Sequence, residues 1–142
     1  MSDNHEAVRK HEEIVARTDL FKKHVDSLKK NATSLVYAMI ATDDGFPVAY
    51  TEMDDQEAMR KAAVTASLNG LSSTVAQESN LKKADATHIE CEAGFVFSRI
   101  VYLSGGKEVG LLVAANGEEN FATLLWHIKK MVTELVDEFA RS

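Results

Sequence analysis

A chain of 142 residues with 45% apolar side chains, one proline and seven glycines can build one domain with a real core and leaves little for a second. Net charge is −6, from 22 acidic and 16 basic side chains without a basic stripe, so a nucleic-acid partner is disfavoured. The single cysteine, Cys91, excludes an intrachain disulfide. No apolar run reaches the roughly 18 residues of a membrane span. Met1 to Glu6 is polar and lacks the apolar core of a signal peptide, so the expected location is cytoplasmic, without membrane insertion.

In chain order, His5, Glu6, Arg9, Lys10, His11, Glu12, Glu13 and Arg17 make a charged segment whose main apolar surface is Ile14 and Val15. It reads as an N-terminal helical extension over residues 1–17, ahead of a domain over 18–142. Thr18 or Asp19 is placed as a fresh N-cap. Leu20, Phe21, Val25 and Leu28 then form a helical stripe with lysines outside it. Leu35 to Ala41 is apolar at almost every position and suits a strand covered on both faces. Asp43-Asp44-Gly45 is turn chemistry. Pro47 to Thr51 returns as a second strand, with Pro47, which lacks an N–H, at a strand end or sheet edge.

Asp54 to Asn80 is expected to be a long helix buried on two sides. Asp54 caps it, and Glu57 completes a capping-box pattern. Val64, Leu68, Leu71 and Val75 form a bulky stripe suited to packing on a sheet. Ala62, Ala63, Ala66, Gly70, Ser73 and Thr74 form a small-residue stripe suited to close approach of a second helix. A single wide core face with some alanines stays open as the plainer reading. Gly70 costs about 1 kcal/mol relative to alanine, which argues for a neighbour that needs the gap.

Asp85 to Glu92 alternates, with Thr87, Ile89 and Cys91 on one face and His88, Glu90 and Glu92 on the other. That suits a half-wet antiparallel strand. Phe95 to Leu103 is a strong strand, Ser104-Gly105-Gly106-Lys107 a hairpin turn, and Val109 to Ala115 a second doubly buried strand. Asn116 and Glu119 are placed as the cap of the last helix. Phe121, Leu124, Leu125, Ile128, Val132, Leu135 and Phe139 give that helix one core-facing stripe about 100° wide. Trp126 falls outside the stripe and is expected on the extension or against a partner.

Searches for chemistry fail. Gly105-Gly106-Lys107-Glu108 lacks the hydroxyl of a phosphate loop and precedes a strand. His11-Glu12-Glu13 has Val15 where a zinc helix needs its second histidine. His88 and Cys91, three apart on a strand, point to opposite faces and cannot share a metal. Asp43 and Asp44 read as a turn, and Arg60 and Arg99 as ordinary surface charges that could meet an acidic partner. No nucleophile–base set assembles, so neither an enzyme nor a cofactor is indicated. If the strand from Asp85 to Glu92 is a sheet edge, its outer amides need partners. Pairing with its own copy across a two-fold axis would supply them.

Three features carry a resemblance. They are the apolar strand leading into Asp43-Asp44-Gly45-Phe46-Pro47-Val48-Ala49, the Ala/Ser-rich helix from Ala58 to Ala76, and three closing strands with a final amphipathic helix. On these the chain resembles the roadblock/LC7 family, over Asp19 to Phe139. The resemblance implies an α+β fold in three α/β/α layers. A five-stranded antiparallel sheet would carry the long helix on one face and the N- and C-terminal helices on the other, in a profilin-like topology. It also implies dimers joined through the long helix and the following strand. Relatives bind small Ras-like GTPases, and some promote GTP hydrolysis without holding nucleotide; others are scaffolds or motor light chains. The expectation is therefore a non-enzymatic homodimer that modulates the nucleotide cycle of a small Ras-like GTPase. The alternative is a dimeric scaffold or light-chain-like subunit without nucleotide dependence. A third reading, a small-ligand sensor or enzyme of the profilin-like sheet class, needs a buried polar pocket. The expected dimer interface is Met59, Ala62, Ala63, Ala66, Gly70, Ser73, Thr74, Thr87, His88, Ile89, Glu90 and Cys91, with Arg60 and Trp126 as partner contacts.

Overall fold

The computed structural model describes residues 2–142, with side chains from residue 4 onward. The elements are α1 (Ser2–Val15), α2 (Thr18–Asn31), β1 (Leu35–Thr42), β2 (Pro47–Tyr50), α3 (Asp55–Glu78), β3 (Ala86–Cys91), β4 (Gly94–Leu103), β5 (Lys107–Ala115) and α4 (Phe121–Arg141). A short 3-10 turn, Ser104–Gly106, joins β4 to β5. The strands form one antiparallel sheet in the order β2-β1-β5-β4-β3. The uninterrupted apolar runs of β1 and β5 thus lie inside the sheet, and Pro47 begins an edge strand.

The two faces of the sheet are unequal. On one, Phe21, Val25 and Leu28 of α2 and Leu124, Ile128, Leu135 and Phe139 of α4 bury Ile40, Phe97, Val101, Leu111 and Val113. On the other, α3 covers a much smaller cluster of Met39, Ala41, Leu112, Ala58 and Ala62. Successive strand residues point to opposite faces, so Ile40 and Leu111 serve the large core while Met39 and Leu112 serve the small one.

The orientation of α3 reverses the expected one. The helix meets the sheet through Ala58, Ala62 and Thr65, all fully buried, and not through its bulky stripe. Asn69 and Ser72 continue this seam. Ser98 Oγ donates to Asn69 Oδ1 at 2.7 Å, and the Ser72 and Thr87 hydroxyls meet. Val64, Leu71 and Val75 are 56%, 62% and 57% exposed, and of the expected stripe only Leu68 is partly covered. The reason is clearance. Gly110 of β5 lies beneath the helix, and a Cβ there would stand 2.7 Å from Asn69 Nδ2 and 2.8 Å from Thr65 Cγ2. Leucines do not fit so narrow a gap; alanine, threonine and asparagine do. Gly45, at φ +94°, brings the β1–β2 turn against α3, where a Cβ on it would stand 3.6 Å from Ala63 Cα and from Ala66 Cβ. Part of the small-residue stripe is therefore used within the chain.

Caps differ from expectation at two helix starts. Asp54 caps α3, with Glu57 N–H donating to its Oδ1 at 2.8 Å, as the spacing requires. At α4 the cap is Asn120, which accepts from Ala122 N–H. Asn116 instead accepts from Glu118 N–H, and Glu119 accepts from the Ser34 hydroxyl. At α2 the N-cap position is Arg17, not Thr18 or Asp19, and the Thr18 hydroxyl donates back to the Val15 carbonyl. Arg17 is committed elsewhere: its guanidinium donates to the carbonyls of Phe139 and Ser142 and lies 4.4 Å over the Phe139 ring. Together with buried Ile14 and the Lys107–Glu13 pair at 2.6 Å, it fastens the end of α1 to the domain.

Two measurements follow. Gly110→Val should force α3 off the sheet and destabilise the fold by about 1–3 kcal/mol, read as a lower urea midpoint at unchanged slope. His24 is buried between α2 and α4, its Nε2 unbonded and 3.5 Å from Glu138 Oε1. Burial holds its pKa below the usual histidine value, and the nearby Glu138 carboxylate opposes this only in part. The unfolded chain therefore binds a proton first, and stability present above about pH 6.5 is lost as pH falls through that value. The melting temperature should drop from pH 7.5 to pH 5.5, more steeply than in His24→Leu.

Candidate interaction surface

The outer face of α3 is built from two rows. At about 100° per residue, Ala63, Ser67, Gly70 and Thr74 form a track of small residues, and Val64, Leu71 and Val75 form an aliphatic ridge beside it. All seven are exposed. No atom lies within 4 Å of where a Gly70 Cβ would stand, so nothing in the chain itself needs that glycine. Below the ridge runs a groove of about 400 Å³, lined by Leu71, Val75, Ala76, Leu81, Ala84 and Thr87. Leu81 is 74% exposed at its rim. Exposed aliphatic residues are unremarkable singly; contiguous along a helix and a groove, they make this face the candidate interaction surface.

The far wall of the groove is β3. It pairs with β4 alone, from Ala86 opposite Arg99 to Cys91 opposite Gly94, and its other edge is open. Thr87 is half-buried and the remaining residues of the strand are exposed. The α3-side face, expected to be the dry one, is thus largely uncovered in one copy of the chain. α3 touches β3 through Ser72, whose hydroxyl meets that of Thr87, and Leu71 and Val75 stand across the open groove from the strand. His88 turns to the other face, with its ring 5.0 Å from that of Phe97 and 4.8 Å from that of Phe121. Cys91 lies on the α3 side, away from it. Among the described residues no group of His, Cys, Asp and Glu is arranged to hold a metal ion.

The residues expected at an interface are divided by the structure. Met59, Ala63, Gly70 and Thr74 are exposed on α3, and His88, Ile89, Glu90 and Cys91 are exposed on the edge strand. Ala66 and Ser73 are partly covered. Ala62 is a correction: it is fully buried against the sheet and has no surface to offer a second chain. Arg60 lies exposed on the outer side of α3. Trp126 is 59% exposed on the outer side of α4, with Lys130 Nζ 5.3 Å from its ring. It does not meet α1, whose fastening through Arg17 is at the opposite end of α4. The exposed aliphatic residues that the sequence reading did not place on this surface are Val64, Leu71, Val75 and Leu81. The signal for them was present: Ala58, Ala62, Thr65, Asn69 and Ser72 repeat at helical spacing and form a face small enough to seat on a glycine.

At the turn end of the sheet a polar cleft of about 390 Å³ is lined by Lys10, His11, Asp43, Asp44, Lys107 and Glu108. Burial and the Asp43 carboxylate push the Glu108 pKa up. Beside it His11 lies 3.7 Å from Asp44, Lys107 holds Glu13, and Lys10 lies 3.6 Å from Glu6.

The profile of the Roadblock/LC7 domain matches residues 22–102. The chain belongs to the Roadblock/LC7 family. Solved structures of the family share its fold. The Roadblock/LC7 domain from Streptomyces avermitilis superposes with a TM-score of 0.74 at 17% identity, over 85% of this chain and 98% of that one. Myxococcus xanthus MglB gives 0.76 at 16% identity, over 87% and 90%. An MglB with a tetrameric arrangement gives 0.67 at 14%, over 84% and 92%. No curated protein sequence matches the chain. This Roadblock/LC7 domain thus has the expected three layers, with α1 preceding the matched residues. Among the described residues no helix is long and apolar enough to cross a membrane. The family is one of regulatory, non-catalytic domains and includes GTPase-associated members.

Proposed function

We propose that this chain is a cytoplasmic homodimer that binds a small Ras-like GTPase and modulates its nucleotide cycle without chemistry of its own. The observation that carries the reading is the aliphatic outer face of α3, continuous with the open edge of β3. A two-fold axis perpendicular to the sheet would pair β3 with its copy, antiparallel, and set the two α3 helices side by side. The track from Ala63 to Thr74 would let the helices approach, and Val64, Leu71 and Val75 would lose their exposure. α3 has 24 residues, about 36 Å at 1.5 Å per residue. With β3 it is long enough to bury the roughly 800 Å² per copy that stable dimers use. The tetrameric MglB supports self-association as a habit of this fold.

The paired helices would present Arg60 and its copy on one platform to the GTPase. Modulation then requires different affinity for the GTP-bound and GDP-bound states, because equal affinity shifts nothing. The GTPase-associated members of the family support this partner class.

Two experiments test the reading. In analytical ultracentrifugation the chain should sediment as a dimer, and Leu71→Asp with Val75→Asp should yield a folded monomer, since both side chains are exposed in one copy. A wild-type monomer at micromolar concentration would sink the dimer. GTPases captured from native lysate after loading with GDP or a non-hydrolysable GTP analogue should bind in a nucleotide-dependent way and show altered GTP turnover. Capture that ignores the nucleotide would favour the scaffold instead.

A further inference from the structure

In the outer helical layer the last turn of α2 carries Lys29 and Lys30, and the first half of α4 carries Lys129, Lys130 and the exposed Trp126, whose ring lies 5.3 Å from Lys130 Nζ. Along the rest of this layer lysines are neutralised: Lys22 pairs with Asp26 at 2.9 Å, and Lys23 with Glu138. None of the four lysines at this end has a carboxylate within ion-pair distance among the described residues. Lys29 Nζ donates to the Leu35 carbonyl at 2.9 Å. Glu134, one turn beyond Lys130, is the nearest opposing charge on α4. The chain as a whole carries −6, so four lysines without an ion-pair partner among the described residues stand out here, bordered by Glu134 and by Glu119, which lies 4.0 Å from His127. An exposed indole in a field of lysines has no use in the monomer's packing. The Leu124 and Ile128 side of α4 already faces the core, and Trp126 points the other way.

From this we infer that the patch around Trp126 is a peripheral docking site for an anionic lipid surface. Shape favours a bilayer over an acidic peptide. The outer face of a helix is convex, and a cleft between α2 and α4 here, lined by Ser27, Asn31, His127, Lys130 and Glu134, holds only about 110 Å³. That is a few waters and not a peptide side-chain row. Lysine ammoniums are attracted to an anionic leaflet within a Debye length of its surface. Indole is both apolar and a hydrogen-bond donor, and settles at the headgroup boundary. The two work together on a flat charged surface without insertion of a helix. The inference stands on a single copy. In the dimer proposed above, both α2/α4 layers lie on the same side of the joined sheet, so two patches would face one membrane and add by avidity.

Trp126 is the only tryptophan, so its emission reports this site alone. The test uses the full chain with phosphatidylcholine vesicles, with and without phosphatidylglycerol. Co-sedimentation and a blue shift of Trp126 emission are expected with the anionic vesicles only, weakening as salt rises. Lys129→Glu with Lys130→Glu should bind at least about tenfold more weakly, while sedimentation as a dimer and nucleotide-dependent capture stay as in the wild type. Failure here therefore leaves the proposed function untouched. No binding at low salt, equal binding to neutral vesicles, or undiminished binding by the variant would overturn the proposal. So would a larger emission shift with a polyglutamate peptide than with vesicles of equal charge concentration, which would assign the patch to an acidic protein.

Discussion

The close seat of α3 on the sheet is the constraint from which the rest follows. Gly110 removes a side chain where β5 passes under the helix, and Thr65 and Asn69 occupy the space. A helix held that near cannot place leucine or valine beneath itself. Its aliphatic residues are displaced to the outside, where they stand beside an unpaired strand edge. The hydrophobic effect then acts on this layer only when another surface arrives, at about 25 cal/mol for each Å² of apolar area removed from water.

The opposite layer makes this arrangement affordable to the fold. α2 and α4 sink two aromatic and many aliphatic side chains into one large core, and Phe21 and Phe139 lie with ring centroids 5.8 Å apart. Arg17 closes the far end of α4 by taking two terminal carbonyls, which α-helices leave without internal partners. One face of the sheet thus secures the chain, and the other is free to be small, polar and adapted to contact.

Much of the architecture was legible because it depends on local pattern. The runs from Leu35 and Val109 had no polar face and became interior strands. Leu124, Ile128, Leu135 and Phe139 kept one stripe and found one core. Asp54 stood three residues before Glu57 and capped its helix. The facing of α3 was not legible from periodicity, because both its stripes are periodic and only the depth of the site decides between them. That depth is set by Gly110, more than thirty residues away in sequence. The caps at Asn120 and Arg17 were missed for a related reason. Asn116 offers the same chemistry as Asn120, and Arg17 is held by Phe139 and Ser142 at the other end of the chain. Within α3 the expected facing was inverted: Ala62 belongs to the interior and Leu71 to the surface.

This division has an evolutionary corollary. Side chains that stabilise the folded chain and side chains that would choose its companion sit on opposite sides of one helix. Val64, Leu71, Thr74 and Val75 can change in size or charge while Ala58, Ala62 and Thr65 stay fixed. A duplicated copy could thus drift toward preferring its sibling over itself, by clash or by complementary charge, without crossing a threshold of misfolding. Folding and selectivity are separately tunable in the same 24 residues.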